Sequence, residues 1–346
     1  MIWNRGSISR LDKERRRDDR LRMKKELAIL LLLVALCAIV TALNPRFISP
    51  ANLQNTARLV GAFGIFSLGL GLVIITGGID LSVGSAFALL GVLLSIMLTS
   101  WHLPWPLAVA AVLGLGTVIG ALHGLLITRL GLQPFIVTLC GLLLYRGMAR
   151  FIAQDETKGF GDAAGFETLQ RLATGDVAGV PTPFVVLVVA AVVMWVVLHR
   201  SIYGHHLVAT GRNAVAARYS GIRTDRVVLL AYVLLGGLTG VSAIIFAFYT
   251  NSVSPSSHGN FFELYGIAAA VLGGCSLRGG EGSVLGILLG ATLLQVLQNL
   301  VNLLGIPSSL NFAVMGGVIL VGVVGDQVLR RRPARVAAVS GARRDA

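Results

Sequence analysis

Ten stretches of this chain are apolar runs with few or no charges: 27–43, 56–76, 81–100, 106–128, 134–152, 183–199, 227–249, 263–275, 283–304 and 309–329. Most are long enough to cross a hydrocarbon core of about 30 Å as helices rising about 1.5 Å per residue. A water-soluble fold could not cover so much apolar side chain, because 55% of the 346 residues are hydrophobic and only 13% are charged. The expected fold is therefore an all-α polytopic membrane protein of about ten transmembrane helices. The run 263–275 is the shortest, and Glu263 opens it. The run 27–43 could be read as a signal peptide ending at Val40-Thr41-Ala42, but the charged leader before it favours an uncleaved first helix.

Charge then sets the orientation. Residues 1–26 hold ten Lys or Arg, 199–226 hold five and 330–346 hold six, together 21 of the 29 in the chain. The segment 153–182 has the opposite bias, with Asp155, Glu156, Asp162, Glu167 and Asp176 against Lys158 and Arg171. Clustered basic residues beside membrane helices mark the cytoplasmic side. With ten crossings all three basic segments fall on that side, and the acidic loop falls outside. This divides the chain into a cytoplasmic tail 1–26, a membrane domain 27–329 and a basic cytoplasmic tail 330–346. The net charge of +13 is thereby explained without nucleic acid as a partner.

Cys37, Cys140 and Cys275 stand singly among apolar neighbours, with no spacing that suggests a metal or a disulfide framework. The histidines are scattered apart from His205-His206. No cofactor is expected. Glycines within the runs, such as Gly61, Gly64, Gly69 and Gly71, then Gly114, Gly116, Gly120 and Gly124, are read as helix-packing positions.

One carboxylate interrupts this apolar landscape. Asp80 lies in TGGIDLSVGS, residues 76–85, between two uncharged runs. Gly77 and Gly78 let the backbone turn sharply there. In one reading Asp80 accepts from the free N–H groups near Ser82 and Val83 and caps the following helix. In the other, 76–85 is a broken or re-entrant segment and Asp80 faces a solute pathway. A later block, GGCSL at 273–277, repeats the GG-x-x-L spacing of 77–81.

The cytoplasmic loop GRNAVAARYSGIRTDRV, 211–227, places Val215, Tyr219 and Ile222 at helical spacing, with Arg212 and Arg218 beside them. Such a stripe suits either a partner's groove or the membrane interface. The chain has no phosphate-binding loop of the G-x-x-x-x-G-K-[ST] type, since its lysines fall only at 13, 24, 25 and 158. Any ATP-driven step must use another subunit.

TGGIDLSVGS, GVPTP at 179–183, the loop 211–227 and IAAAVLGGCSLRGGEGSVLG at 267–286 together resemble the membrane permeases of ribose/galactose-type ABC importers. The resemblance covers about residues 44–329. It implies a coupling helix in the 211–227 loop that meets a separate ATPase, with Arg212, Asn213, Val215, Tyr219, Ser220, Gly221 and Ile222 as its contact residues. It further implies a second permease subunit, identical or different, and an extracytoplasmic sugar-binding protein. Gly77, Gly78, Asp80 and Ser82, and the late glycines Gly273, Gly274, Gly279 and Gly280, are the other candidate site positions. Where the family usually reads Glu-Leu-Asp, this chain has Glu263-Leu264-Tyr265.

The expected function is passage of a monosaccharide or related small polar solute across a bacterial inner membrane, without covalent chemistry by this chain. An integral-membrane transferase would need clustered acids, histidines or nucleophiles at one face. An ion-coupled secondary transporter would bury several charges within its helices. The sequence shows neither pattern.

Overall fold

The structure is a computed structural model and describes residue 23, residues 26–161 and 165–307, and residues 310, 312–317 and 320. The charged tails, apart from Met23 and Glu26, and most of the tenth run therefore lie outside the described residues. Helix α1 spans Glu26–Leu43. It is followed by α2 Pro50–Ile75, α3 Val83–Thr99, α4 Trp105–Arg129 and α5 Pro134–Ala153. The connection between α5 and α7, expected on the outer side from its acidic residues, holds α6 Glu167–Thr174, after which come α7 Thr182–His199, α8 Ile202–Arg212 and α9 Ala214–Tyr219. The described chain continues with α10 Thr224–Thr250, α11 Phe262–Leu272 and α12 Val284–Leu303.

Proline marks the starts. α2, α4, α5 and α7 each carry one in their first two positions, where its missing N–H would have no partner within the helix anyway. Among the described residues, seven helices are long and apolar enough to cross a membrane. α2 is central, with 89% of its most apolar window buried, against 28% for α4 and for α5. α3 is buried along most of its length. The outer faces of α4, α5 and α7 carry exposed Leu, Val and Phe, including Val118, Leu143, Phe151 and Val189. That is the expected inversion for a protein whose solvent is lipid.

Two of the expected crossings are short helices. α3 has 17 residues, about 25 Å at about 1.5 Å per residue. α11 has only 11, about 16 Å by the same measure, which is half a hydrocarbon core. The remainder of that crossing is irregular backbone. Ser252-Val253 pairs with Lys158-Gly159 of the outer connection, and Ser95, late in α3, donates to Gly159 O at 2.8 Å. From there the chain passes Gly91 with Val253 and His258 and reaches Gly84 with Gly259, at the start of α3. α11 then completes the passage. The backbone groups of the irregular part are met by protein: Arg146 of α5 donates to Pro255 O at 3.1 Å and to His258 O at 2.8 Å. Non-helical backbone is tolerated at membrane depth only where protein or water replaces the missing partners.

Polar side chains tie helices together sparingly. Asn52 of α2 and Asn299 of α12 exchange two amide bonds, at 3.1 and 2.8 Å, and Tyr249 of α10 donates to Asn55 Oδ1 at 2.9 Å. The outer connection is closed by stacking of Phe160 on Phe248, centroids 4.3 Å apart, and by the Arg58–Asp176 pair at 3.2 Å.

The most intimate crossing is α4 on α10. A methyl group placed on Gly116 would lie 2.6 Å from Gly236 O, and one on Gly124 would lie 2.9 Å from Leu229 Cα; one on Gly120 would collide with Tyr232 O. Gly114, on the same helix, meets nothing within 4 Å. The three crowded positions recur every fourth residue, a spacing that lets membrane helices approach backbone to backbone. Gly120→Ala is therefore expected to destabilise by about 1–3 kcal/mol through overpacking. Gly114→Ala should be neutral or stabilising by up to about 1 kcal/mol, the helix-propensity difference. Thermal unfolding of the two variants in detergent checks the contrast; equal melting temperatures would contradict it.

Candidate functional site

Three sequence blocks far apart in the chain meet at one end of the bundle. α2 stops at Ile75 because Gly77 turns left-handed, at φ 84°. Gly77 N–H donates to Ile74 O at 2.9 Å and Gly78 N–H to Val73 O at 3.1 Å, the closure typical of a glycine-terminated helix. α11 stops in the same way. Gly274, at φ 91°, donates to Val271 O at 2.9 Å, and Cys275 N–H donates to Ala270 O at 2.9 Å. The repeat visible in the sequence is thus structural but displaced by one residue: Gly77 corresponds to Gly274, whereas matching GGIDL to GGCSL pairs it with Gly273. Both turns lead to a Ser-Val pair that opens the next helix, Ser82-Val83 and Ser283-Val284.

The two turns touch each other and the end of α8. Gly280 N–H donates to Ile75 O at 2.8 Å. Gly211, one residue before α8 ends, lies against the same carbonyl, so that a methyl group on it would collide with Ile75 O. A methyl on Gly279 would lie 2.8 Å from Gly211 O and 2.9 Å from Gly77 N. Three backbones are in direct contact here, leaving no room for side chains.

Asp80 is 3% exposed in this assembly. Its Oδ1 accepts from the Ser82 N–H at 2.8 Å and from the Ser82 hydroxyl at 2.7 Å. Ser82 occupies the N-cap position of α3 yet makes no capping bond of its own, because its hydroxyl is turned back to the carboxylate. Asp80 Oδ2 lies 3.3 Å from His123 Nδ1 of α4, and His123 Nε2 lies 2.9 Å from the Tyr145 hydroxyl of α5. A carboxylate only accepts, so Nδ1 carries the hydrogen of that contact, and in the neutral imidazole Nε2 then accepts from Tyr145. Tyr232 of α10, fully buried, donates to Ile79 O at 3.0 Å. One short loop is thereby bonded to α4 and α10, and through His123 to α5. The adjoining cavity, bordered by Asp80, His123 and Thr239, is about 10 Å³, the space of about one water.

His123, Tyr145 and Tyr232 were not singled out in the sequence. A lone histidine inside an apolar run is the available signal, but nothing in the spacing joins residues 80 and 123.

The loop after α8 departs from its expected geometry at one residue. Asn213 Oδ1 accepts from Ala216 N–H at 2.9 Å and so starts α9, on which Val215 is 65% and Tyr219 89% exposed. The helix ends there. Gly221, at φ 86°, reverses the chain, and Ile222 N–H bonds to Ala217 O at 3.1 Å. Ile222 consequently packs partly buried against the core, and the stripe Val215, Tyr219, Ile222 is reduced to its first two members. Ser220, also exposed, donates to Ala216 O at 3.0 Å. Arg218 holds the return by pairing with Asp225 at 2.8 Å. Arg212 lies at the junction itself, its backbone against Gly280. Gly273 lies where α11 crosses α12, packed on Gly286.

Residues 52–323 match the family described as branched-chain amino acid transport system, permease component. The ribose import permease protein of Bacillus subtilis (strain 168) is 38% identical over 298 residues, covering 85% of this chain and 90% of that protein. The ribose import permease protein of Escherichia coli (strain K12) is 37% identical over 297 residues, 86% and 92% of the two chains. An autoinducer 2 import system permease protein of Klebsiella pneumoniae is 34% identical over 317 residues, 90% and 94%. No solved structure matches. Given this coverage, with the apolar helices and motif blocks described above, the chain belongs to the permease-component family of ABC importers: it is a multi-pass bacterial inner-membrane transport subunit and not an enzyme.

Proposed function

We propose that this permease passes a monosaccharide or a closely related small polar solute. Two permease subunits, identical or different, would enclose the pathway between them. An extracytoplasmic binding protein would deliver the solute on the acidic-loop side, and a separate ATPase would act on the opposite side, that of the basic segments. The observation that carries this reading is the contact among Ile75, Gly211 and Gly280. It joins the start of the α9 loop directly to the end of α2 and to the turn between α11 and α12, so force applied at α9 reaches helices of the membrane core without passing through a flexible linker. Permeases named for ribose import and for autoinducer 2 import among the relatives support the solute class.

Reconstitution with the cognate ATPase and binding protein tests it. ATP-dependent uptake of a sugar from a panel of pentoses, hexoses and deoxyhexoses is the expected result. Uptake that follows an ion gradient and ignores ATP would contradict the proposal. Tyr219, the most exposed aromatic side chain on α9, supplies the mechanistic arm. Burying an unpaired charge costs several kcal/mol, so Tyr219→Asp should leave the permease folded and inserted but unable to retain the ATPase through purification. Wild-type recovery of the ATPase with this variant would remove α9 from the coupling surface.

Asp80 has, in our reading, a holding role at this junction. Asp80→Asn keeps an acceptor for the Ser82 N–H, and a tautomer change in His123 accommodates the new amide. That variant should fold and retain most of its uptake. Asp80→Leu leaves the Ser82 N–H and hydroxyl and His123 Nδ1 without their acceptor, at about 1.5–3 kcal/mol for each bond to a charged group, and should lose folded protein. Size-exclusion yield and uptake measured side by side decide the matter. A well-folded Asp80→Asn that transports nothing would assign the charge to the pathway.

A further inference from the structure

Where α4 ends and the α9 return leads into α10 there is a groove of about 500 Å³, bordered by Thr128, Arg129, Arg218, Arg223, Asp225 and Arg226 among others. Four arginines face one carboxylate. That carboxylate, Asp225, is engaged by Arg218 at 2.8 Å. Among the described residues, Arg129, Arg223 and Arg226 have no acidic partner.

What leads into the groove is as informative as its charge. On α4 the exposed residues Val118, Leu122 and Leu125 recur at four and three residues, and the next step of four is Arg129. On α10 the exposed Leu230 lies four residues beyond Arg226 and seven beyond Arg223. Residues so spaced share one helix face. α4 therefore offers an apolar face to its surroundings that ends in arginine where the groove opens, and α10 adds Leu230 beside its own two arginines. Guanidinium groups bind phosphate oxygens bidentately, and basic pockets between membrane helices are suited to lipid head groups.

We infer that this groove binds the phosphate of an anionic phospholipid, with an acyl chain lying along Val118, Leu122 and Leu125. A soluble protein partner would be drawn to the arginines but would have no use for the apolar face that continues from them. The inference holds whichever side of the membrane this end faces, and it does not depend on the solute.

Native mass spectrometry of the detergent-purified permease–ATPase complex, incubated with equal amounts of phosphatidylglycerol and phosphatidylcholine of the same chain lengths, tests it. The wild type should retain phosphatidylglycerol in preference. R129Q, R223Q and R226Q should each lower that retention about fivefold, and the triple variant should abolish the preference. The triple lysine variant should keep most of it, which separates loss of charge from loss of fold. Equal retention of the two lipids by the wild type would overturn the site, as would wild-type retention in all the Gln variants. Displacement of the lipid by inorganic phosphate alone would show that the acyl track contributes nothing. Loss of the ATPase with lipid retention unchanged would assign the groove to the protein partner.

Discussion

At Gly211 three stretches of backbone come so close that no side chain fits between them, and the arrangement of the rest follows from that contact. α8 can end against Ile75 O only because residue 211 has no Cβ, and the Gly279-Gly280 turn can reach the same carbonyl only because both residues take positive φ. Backbone packing of this kind is stiff, since it lacks the rotamer freedom by which side chains absorb a displacement. A movement of α8 and α9 is therefore transmitted to the end of α2 and to the turn between α11 and α12 as a unit. α2 is the most buried of the long helices, so that displacement enters the centre of the bundle.

Asp80 supports the junction electrostatically. A buried carboxylate is costly unless donors surround it, and here they come from its own loop and from α4, with Tyr145 of α5 completing the chain beyond His123. The sequence poses a choice between a local cap and a group facing the pathway. The geometry has features of both: Oδ1 serves the approach to α3, and Oδ2 reaches across to another helix beside a water-sized cavity.

Much of the fold was legible because it rests on one-dimensional signals. Apolar run length places the long helices, proline marks several of their starts, and the four-residue glycine spacing at 116, 120 and 124 marks the α4–α10 crossing. Other features were not legible because they depend on depth or on contacts distant in sequence. The run 263–275 reads as a short helix, and α11 is one; not legible is the irregular backbone before it, which completes the crossing and is supported by Arg146, more than a hundred residues earlier. Helical spacing carried Ile222 into a stripe that Gly221 cuts off. His123 is indistinguishable in sequence from an incidental histidine until Asp80 is seen beside it, and the one-residue offset between the two turns emerges only from their hydrogen bonds.

The central claim is that the 76–82 turn, the end of α8 and the 276–283 turn form a single packed unit. Hydrogen–deuterium exchange of the detergent-purified permease, wild type against Gly211→Val, tests it most directly. Glycine-rich loops ordinarily exchange fast, yet these should exchange in the wild type about as slowly as the helices beside them, and the substitution should accelerate both turns together. Fast exchange of the turns in the wild type, or acceleration confined to the neighbourhood of residue 211, would contradict the account.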